Sequence, residues 1–437
     1  GAKNQKTALF IQNNRGSFEE VNNVFPESHK NYEDMDMILE DFDNDGDKDL
    51  YIVSGGNEYE PNSAMLKDRL YVNDGFGNFK FNDESIPDNF SSGMRVSSAD
   101  FDKDGDLDLF VGGRVVPGNY PLPADSYLLI NNSSKDKISF TNADDSVFPY
   151  KDIGLVTSSV WADYNNDSWP DLIVVGEWTP IIFYKNIEGS FSEDNFIIDK
   201  DSTRGWWYDI ISEDFDNDGD LDFVVGNLGN NYKYQTSEEG TFDIFYNDFD
   251  KNNTGDIVLS YFNDGEQYPL RGRQCSSDQI PAIKTKFKDY DAFSIATLED
   301  VYTEPALNNS LHYFTKTFSS VYLENTGNSF KMSNLPVLAQ LSAVNKILKK
   351  DINNDGYTDV IISGNMYNSE VETPRNDGSV GVYLEFIPNN GFRAVPTKES
   401  GLFINGDVKD MELIRFKEND FIISAKNDDL IEFTKIK

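Results

Sequence analysis

A nine-residue acidic segment recurs six times along the chain, and no other sequence feature limits the architecture as strongly. The clearest copies carry Asp at positions 1, 3, 5, 7 and 9 and Gly at position 6, and they run directly into apolar segments such as Leu50–Val53. Three further copies keep the spacing with substitutions. An internal repeat of this kind predicts a fold built from similar units. We number the segments loops 1 to 6, at residues 41–49, 100–108, 163–171, 214–222, 248–256 and 351–359.

The spacing of oxygen-bearing groups predicts one Ca²⁺ ion in each loop, up to six in all. Side chains at positions 1, 3, 5 and 9 and the backbone carbonyl at position 7 can supply the oxygens that Ca²⁺ accepts at about 2.3–2.6 Å. Without a cation, carboxylates packed into one turn repel one another by several kcal/mol, since unit charges about 4 Å apart interact strongly at intermediate dielectric. The predicted ligand positions are Asp41, Asp43, Asp45, Asp47 and Asp49; Asp100, Asp102, Asp104, Asp106 and Asp108; Asp163, Asn165, Asp167, Trp169 and Asp171; Asp214, Asp216, Asp218, Asp220 and Asp222; Asp248, Asp250, Asn252, Thr254 and Asp256; and Asp351, Asn353, Asp355, Tyr357 and Asp359.

Position 6 must turn sharply, which favours Gly and tolerates Asn. Four loops have Gly and loop 5 has Asn253, whereas loop 3 has Ser168, the poorest residue for this turn. The loops differ from EF-hands, which need a bidentate Glu at position 12 between helices; here position 12 is Ile52 or Val111, inside an apolar run. The alternative is a set of Asp-rich turns that bind nothing. Six copies in register favour calcium.

Short apolar strands separated by turn signals around each loop predict an all-β fold. Four antiparallel strands per unit, repeated radially, predict a β-propeller. We expect a single propeller domain over 1–437 with seven blades, one of them closed by strands from both termini; one surplus strand leaves eight blades as the alternative. The 34-residue spacing between loops 4 and 5 predicts an abbreviated fourth blade. Apolar residues at helical spacing predict a helical insertion at 275–318.

The charge excludes some partner classes. The chain has 76 acidic and 38 basic residues, a formal net charge of −38, which argues against nucleic acid and anionic membrane as direct partners. Its single cysteine, Cys275, cannot form an internal disulfide. No apolar stretch reaches the roughly 20 residues of a membrane span. Calcium loops of this kind are typical of extracellular modules, so we expect an extracytoplasmic setting, either secreted or at a bacterial outer-membrane surface.

The loops resemble the FG-GAP/VCBS repeats of integrin α-like β-propellers, most closely in loops 1, 2 and 4. Further segments resemble large Bacteroidetes-type FG-GAP proteins, which are often paired with an ASPIC/UnbV module. The resemblance implies calcium binding and a cell-surface or secreted location, and it implies a further loop-bearing strand pair before Gly1. The start Gly-Ala fits a piece of a larger chain or complex. The segments that carry this second resemblance are Val53–Glu58, Gly112–Pro121, Val175–Pro180, Gly205–Trp207 and Val225–Gly229.

In a propeller the connections after each second strand lie on the face opposite the calcium loops. Here those connections are rich in aromatic, Asn and Arg residues, which are favoured at recognition hot spots. We therefore expect this face to bind a protein or a glycan; the alternative is that its tryptophans pack between blades. The predicted partner-binding residues are Arg114, Tyr120, Trp178, Asn230, Tyr232, Arg271, Arg273 and Tyr367.

No catalytic motif emerges from the sequence. His29 and His312 stand in dissimilar contexts, and neither is next to a nucleophile motif. We expect a non-catalytic binding or scaffold module stabilised by calcium. Two alternatives stay open: a lectin or glycan-processing enzyme, for which Glu58 and Glu177 could form a carboxylate pair, and an accessory subunit of an outer-membrane nutrient-uptake complex.

Overall fold

The computed structural model describes residues 4–22, 24–135, 137–195, 197–237, 240–369 and 373–436. It is an all-β structure of antiparallel sheets with a few short helices, as the strand pattern predicted. Sheet A has two strands, sheet B and sheet C have four each, and sheet D has four plus a short fifth. Their strands are β1 Leu9–Gln12 and β2 Phe18–Val21 (A); β3 Asp34–Glu40, β4 Asp49–Ser54, β5 Arg69–Asn73 and β6 Phe79–Phe81 (B); β7 Gly93–Ala99, β8 Asp108–Gly113, β9 Tyr127–Asn131 and β10 Phe140–Asn142 (C); and β11 Leu155–Ala162, β12 Asp171–Thr179, β13 Ile182–Ile187, β14 Ser190–Glu193 and β15 Gly205–Trp206 (D).

A second sheet interrupts sheet E after its second strand. Sheet E begins with β16 Asp209–Glu213 and β17 Asp222–Gly226, and the chain then builds sheet F and five helices before it returns. The inserted elements are β18 Phe242–Asn247, β19 Asp256–Asn263, β20 Glu266–Pro269, α1 Arg273–Gln279, α2 Ala282–Lys286, α3 Tyr290–Ser294, α4 Leu298–Tyr302, α5 Glu304–Asn308 and β21 Leu311–Thr315. Sheet E is completed by β22 Val321–Asn325 and β23 Phe330–Asn334.

Two further sheets end the chain. Sheet G has four strands and sheet H has three. Single 3₁₀ turns occur at Glu27–Asn31, Ala64–Leu66, Lys200–Thr203 and Val337–Gln340. The remaining elements are β24 Val344–Lys350, β25 Asp359–Gly364, β26 Val382–Ile387, β27 Gly391–Val395 and α6 Thr397–Ser400 (G), and β28 Val408–Phe416, β29 Asn419–Lys426 and β30 Glu432–Lys435 (H).

The insertion corrects two sequence predictions. Loop 5 joins β18 to β19 and so lies in the inserted sheet F, not in an abbreviated fourth blade. Helices occur at 273–308, but residues 311–315 form a strand where a continuing helix was expected, because β21 pairs along its whole length with β18. Sequence reasoning missed this arrangement because the third strand of sheet E lies far along the chain from its second strand.

The first strands of sheets B, C, D, E, G and H contact one another in that order: β3 with β7, β7 with β11, β11 with β16, β16 with β24 and β24 with β28. Apolar side chains fill the spaces between successive sheets. Tyr51 and Val53 of sheet B, for example, pack with Val96 and Leu109 of sheet C. The nearly all-apolar second strands are therefore buried on both faces.

Candidate metal centres

All six loops adopt one backbone conformation held by their own carboxylates. In loop 1 the position 1 side chain, Asp41, accepts hydrogen bonds from the backbone N–H groups of Asp45 and Gly46, at 3.1 and 3.0 Å. The same pair of bonds from positions 5 and 6 to position 1 recurs in loops 3, 4, 5 and 6. In every loop the position 7 N–H donates to the position 5 side chain. The side chains therefore point into the turn.

Two positions in each loop have positive φ. Position 6 was expected from sequence, and Ser168 adopts it at φ +72° despite being the poorest residue for it. Position 4 was missed: it has φ between +57° and +62° in all six loops, although loops 2 and 5 place Lys there. Asn at this position in the other four loops was the available signal, because Asn tolerates the left-handed region.

Carboxylates in four loops come close enough to share one cation. In each of these loops three Asp side chains offer oxygens that lie within 4.8 Å of one another. The four sets are Asp41, Asp43 and Asp45; Asp100, Asp102 and Asp108; Asp214, Asp216 and Asp218; and Asp248, Asp250 and Asp256. Loops 3 and 6 have Asn at position 3, whose amide oxygen is also a ligand type for calcium.

The electrostatics of the loops fit the binding of a cation. Asp47 Oδ1, Asp100 Oδ1 and Asp220 Oδ1 are buried and have no hydrogen-bond partner among the described residues. Burial raises the pKa of Asp108 to about 8 and that of Asp222 to about 7. A raised pKa means that the surroundings compensate the carboxylate charge poorly. A hard divalent cation ligated by these oxygens would supply the compensation, so the residues present fit calcium.

Loops 3 and 6 replace part of that compensation with protein groups. In loop 3 the Asn165 amide donates to Asp171 at 2.8 Å, and the Lys185 ammonium lies 3.3 Å from Asp167. In loop 6 the Asn353 amide donates to Asp355 at 2.9 Å. These protein groups compensate only part of the charge, since burial still raises the pKa of Asp171 to about 7.

In five of the loops the position 9 aspartate also ties the loop to the third strand of its sheet. Its buried carboxylate accepts a backbone N–H at or next to the end of that strand: Asn131 donates to Asp108 at 2.8 Å and Asn325 donates to Asp222 at 2.7 Å. The same bond occurs in sheets B, D and G. A change at position 9 would therefore affect the sheet as well as any bound ion.

An asparagine at the end of the third strand links neighbouring sheets, and sequence reasoning missed it. The Asn131 amide donates to the carbonyl of Leu107 in its own sheet and to that of Phe42 in sheet B, at 3.1 and 2.9 Å. Asn186 and Asn325 make the equivalent pairs of bonds. The recurrence of Asn after the third apolar run was the signal that could have revealed it.

Contacts between loops show which loops are neighbours. The Asn44 amide of loop 1 donates to Asp106 of loop 2 at 2.6 Å, and the Asn217 amide of loop 4 donates to the carbonyl of Gly356 in loop 6 at 3.1 Å. Loop 4 is therefore adjacent to loop 6. Loop 5 instead meets the inserted helices, because the Phe249 ring packs against Tyr302 at 5.3 Å.

The predicted partner residues fall into separate groups. Trp178 is 1% exposed and stacks on Phe242, and Arg273 is 7% exposed, with its guanidinium donating to backbone carbonyls including Phe287 at 2.6 Å. Both therefore belong to the interior and cannot be primary contact residues. Arg271 is half-buried close to Arg273 in sequence. Tyr232 packs edge-on against Tyr234.

The other partner candidates make side-chain contacts of their own, and one of them, Arg114, lines a large cavity. The Arg114 guanidinium donates to Glu177 at 2.7 Å, and the Trp178 indole donates to the Tyr120 hydroxyl at 2.5 Å. Arg114 and Glu177 line a cavity of about 1160 Å³ together with first-strand residues such as Asp36 and Arg95. Asn230 donates to Ser319 at 2.8 Å, and Tyr367 lies under the Arg375 guanidinium at 3.7 Å.

Comparison with known proteins decides the repeat family. A family model described as the FG-GAP-like repeat matches residues 41–111 and 163–225, which contain loops 1 to 4. These two stretches are FG-GAP-like repeats. Pairing of the chain with an ASPIC/UnbV module remains a prediction. A search of curated proteins finds no match.

Two solved structures show limited similarity to this chain. The crystal structure of Saccharomyces cerevisiae Sqt1 is 9% identical with a TM-score of 0.40, over 90% of this chain and 85% of that chain. The V. cholerae biofilm matrix protein Bap1 is 10% identical with a TM-score of 0.29, over 91% and 85%. At these TM-scores neither similarity supports a conclusion about fold or function. Among the described residues, no helix has both the length and the apolar character needed to cross a membrane.

Proposed function

We propose that the chain is a calcium-stabilised β-propeller that serves as an extracytoplasmic binding or scaffold module. Sheets B, C, D, E, G and H are six blades around a central axis, sheet A occupies the outer part of a seventh, and sheet F lies outside the ring. The first strands of these six sheets contact one another in the order B, C, D, E, G and H, which supports this arrangement of blades. Calcium has a structural role: it neutralises each acidic turn and holds its strand pair together.

The observation that carries the proposal is that loop carboxylates converge and are buried without enough hydrogen-bond donors among the described residues, in loops that share one backbone conformation. In loop 4, Asp214, Asp216 and Asp218 converge, burial raises the pKa of Asp220 to about 6, and Asp220 Oδ1 is buried without a hydrogen-bond partner among the described residues. Ordinary Asp-rich turns satisfy their carboxylates by hydrogen bonding or hydration. Calcium at extracellular concentrations would complete these turns, which supports the extracytoplasmic setting.

Isothermal titration calorimetry of the chain stripped with a chelator tests the proposal. We expect several calcium ions to bind with dissociation constants in the range of about 10⁻⁵ to 10⁻³ M, typical of extracellular modules, and the melting temperature to rise with calcium. The variant Asp216→Ala should bind fewer ions. Glu418→Ala, at an exposed turn, is the matched control. A chain that binds no calcium and melts at the same temperature with and without it would overturn the proposal.

We propose that the partner binds the face that bears Arg114 and Tyr367 and that this face has no catalytic activity. Arg114 and Glu177 line the large cavity, and polar, charged and aromatic groups combined in one opening suit a protein or glycan surface. Arg114→Ala and Tyr367→Ala should each weaken capture of the native partner in pull-downs, whereas Glu418→Ala should not. Unchanged capture by both variants would exclude this face. Release of sugar from glycan substrates would overturn the non-catalytic assignment and favour the glycan-processing alternative.

A further inference from the structure

Sheet A has the same turn and register as the outer half of a blade. In sheet B the side chain of Asp74 accepts the N–H groups of Phe76 and Asn78; in sheet A the side chain of Asn13 accepts those of Arg15 and Ser17. Gln12 lies opposite Phe18 as Asn73 lies opposite Phe79. Strands β1 and β2 therefore correspond to the third and fourth strands of a blade.

The register shows that Phe10 is abnormally exposed. Its counterparts in sheets B, C, D, E and G are at most 2% exposed, whereas Phe10 is 48% exposed. Each counterpart lies directly opposite the residue that follows the ninth loop aspartate on the second strand, as Tyr71 lies opposite Leu50. Among the described residues β1 pairs only with β2, so its other edge is free. The counterparts of Phe10 are Tyr71, Leu129, Tyr184, Leu323 and Leu384.

The first strand of sheet B is exposed at the position that the preceding blade should cover. Met37, four residues before loop 1, is 50% exposed, whereas the residues at the same place in sheets C, D, E and G are at most 6% exposed. In sheet E, Ile210 packs against Val175 from the second strand of sheet D. Sheet A, which packs against sheet B through Leu9 and Val21, has no such strand among the described residues.

Within the described part of the chain, the Asn73 side-chain amide of sheet B also lacks a partner that its counterparts in other sheets have. The amide of Asn73 donates to the carbonyl of Lys48 in its own sheet at 3.0 Å, and the described residues offer it no second acceptor. In Asn131 the corresponding second bond goes to the carbonyl at position 2 of the preceding loop. One space is therefore bordered by three features: the free edge of β1, the exposed Met37 side chain and the Asn73 amide, which donates only one bond to the residues that the structure describes.

We propose that this space binds a β-hairpin of the repeat type, with two apolar strands joined by an acidic calcium loop. Its second strand pairs antiparallel with β1 and covers Phe10; its first strand lies nearer the axis, and the pair covers Met37. The carbonyl at position 2 of its loop accepts the second bond of Asn73. A second copy paired edge to edge through β1 would cover Phe10 but would leave Met37 and Asn73 unsatisfied, so the observations favour the hairpin. The inference rests on the proposed ring of blades.

The test adds such a hairpin to the full chain. A copy of residues 93–113, the β7–β8 hairpin with its loop, is fused ahead of Gly1 through a Gly/Ser linker, and methionine oxidation is followed by mass spectrometry. In the unfused chain Met37 should oxidise quickly and Met411, which is fully buried, slowly. In the fusion with calcium, the oxidation rate of Met37 should fall to that of Met411 and the melting temperature should rise.

Variants separate docking from nonspecific effects. A fused hairpin carrying Asp in place of the copies of Leu109 and Val111 should leave Met37 reactive, as should Phe10→Asp in the chain. Phe76→Asp, at a 90% exposed site outside the space, should keep the protection. Protection that is equal with the disrupted hairpin, or none with the intact one, would overturn the inference. A concentration-dependent dimer of the unfused chain that protects Met37 would assign the surface to a second copy instead. Calcium titration of the unfused chain reports on the proposed function separately.

Discussion

Asp108 shows at the scale of one residue how a loop aspartate serves two structural purposes. Its carboxylate is buried, accepts the backbone N–H of Asn131 and lies within the loop 2 cluster with Asp100 and Asp102. Burial and the nearby aspartates keep its negative charge unfavourable without a cation, so its pKa is raised. The same side chain thus ties the loop to its sheet, and under the proposed calcium binding it would couple that sheet to the ion.

The raised pKa of Asp108 predicts an unusual pH dependence for the metal-free chain. The folded state binds this proton more tightly than the unfolded state, since the pKa is about 8 in the folded chain against an ordinary value of 3.8. The free energy of unfolding should therefore increase as the pH falls from about 8 towards 4, by about 1.4 kcal/mol for each unit of pKa difference at most. Thermal melts in chelator at several pH values measure this. Asp108→Asn should flatten the dependence, and Glu418→Gln should not; a metal-free chain that loses stability over this range would contradict the assignment.

Replacing the asparagine at the end of a third strand by Ala should lower the free energy of unfolding by different amounts in different sheets, because only some of these asparagines join two sheets. Asn131→Ala removes both bonds to the carbonyls of Phe42 and Leu107, and it should lower the free energy of unfolding by about 2–4 kcal/mol because buried carbonyls lose their donors. The side-chain oxygens of Asn131 and Asn73 also accept N–H groups of the turn that follows, so these bonds are lost in both variants. Asn73→Ala removes only one amide-to-carbonyl bond, to Lys48, and should cost about 1 kcal/mol less. Urea unfolding in calcium measures both. Equal losses would show that the link between sheets contributes nothing.

At the scale of elements, loop 5 and the inserted helices form one unit. Phe249 at position 2 packs against Tyr302 of α4, and the Asn247 amide donates to the carbonyl of Ala306 in α5 at 3.3 Å. In the other loops the position 2 side chain packs between neighbouring sheets, as Phe42 and Phe101 do. The structural stability of α4 and α5 should therefore depend on whether loop 5 keeps its conformation.

This coupling predicts a local response to loss of one loop. With calcium present, Asp250→Ala should increase amide hydrogen exchange in α4 and α5, because the turn that carries Phe249 loses its cation and loosens. Asp102→Ala, the same change at position 3 of loop 2, should increase exchange in sheets B and C and leave α4 and α5 unchanged. Hydrogen exchange read by mass spectrometry distinguishes the two patterns. Identical patterns in both variants would contradict an independent unit.

The sequence predicted local elements better than their assembly. Loop boundaries, the flanking strands and most of the helical segment followed from spacing, because each depends on residues close in the chain. The position of loop 5 did not, since its Asp spacing is the same in an inserted sheet as in a blade. The burial of Arg273 escaped prediction, and that of Trp178 was one of two open alternatives, because aromatic and Arg residues suit both a surface and an interior.

At the scale of the whole molecule, charged side chains connect the first strands of several sheets. The Arg95 guanidinium of sheet C lies 3.5 Å from Asp36 of sheet B and 3.5 Å from Asp209 of sheet E. The Lys346 ammonium of sheet G lies 2.9 Å from Asp410 of sheet H. First strands that are far apart in the chain are therefore brought together. Ion pairs along the first strands and bonds between neighbouring acidic loops both help to hold successive sheets in order.

Calcium in the loops is the central claim, and a high-resolution crystal structure grown in millimolar calcium tests it most directly. Anomalous difference maps should show an ion in loops 1, 2 and 4, ligated by the side chains at positions 1, 3, 5 and 9 and the carbonyl at position 7 at about 2.3–2.6 Å. The blades should surround one axis in the order B, C, D, E, G and H. Loops without anomalous density at that calcium concentration, or sheets in another order, would contradict the account.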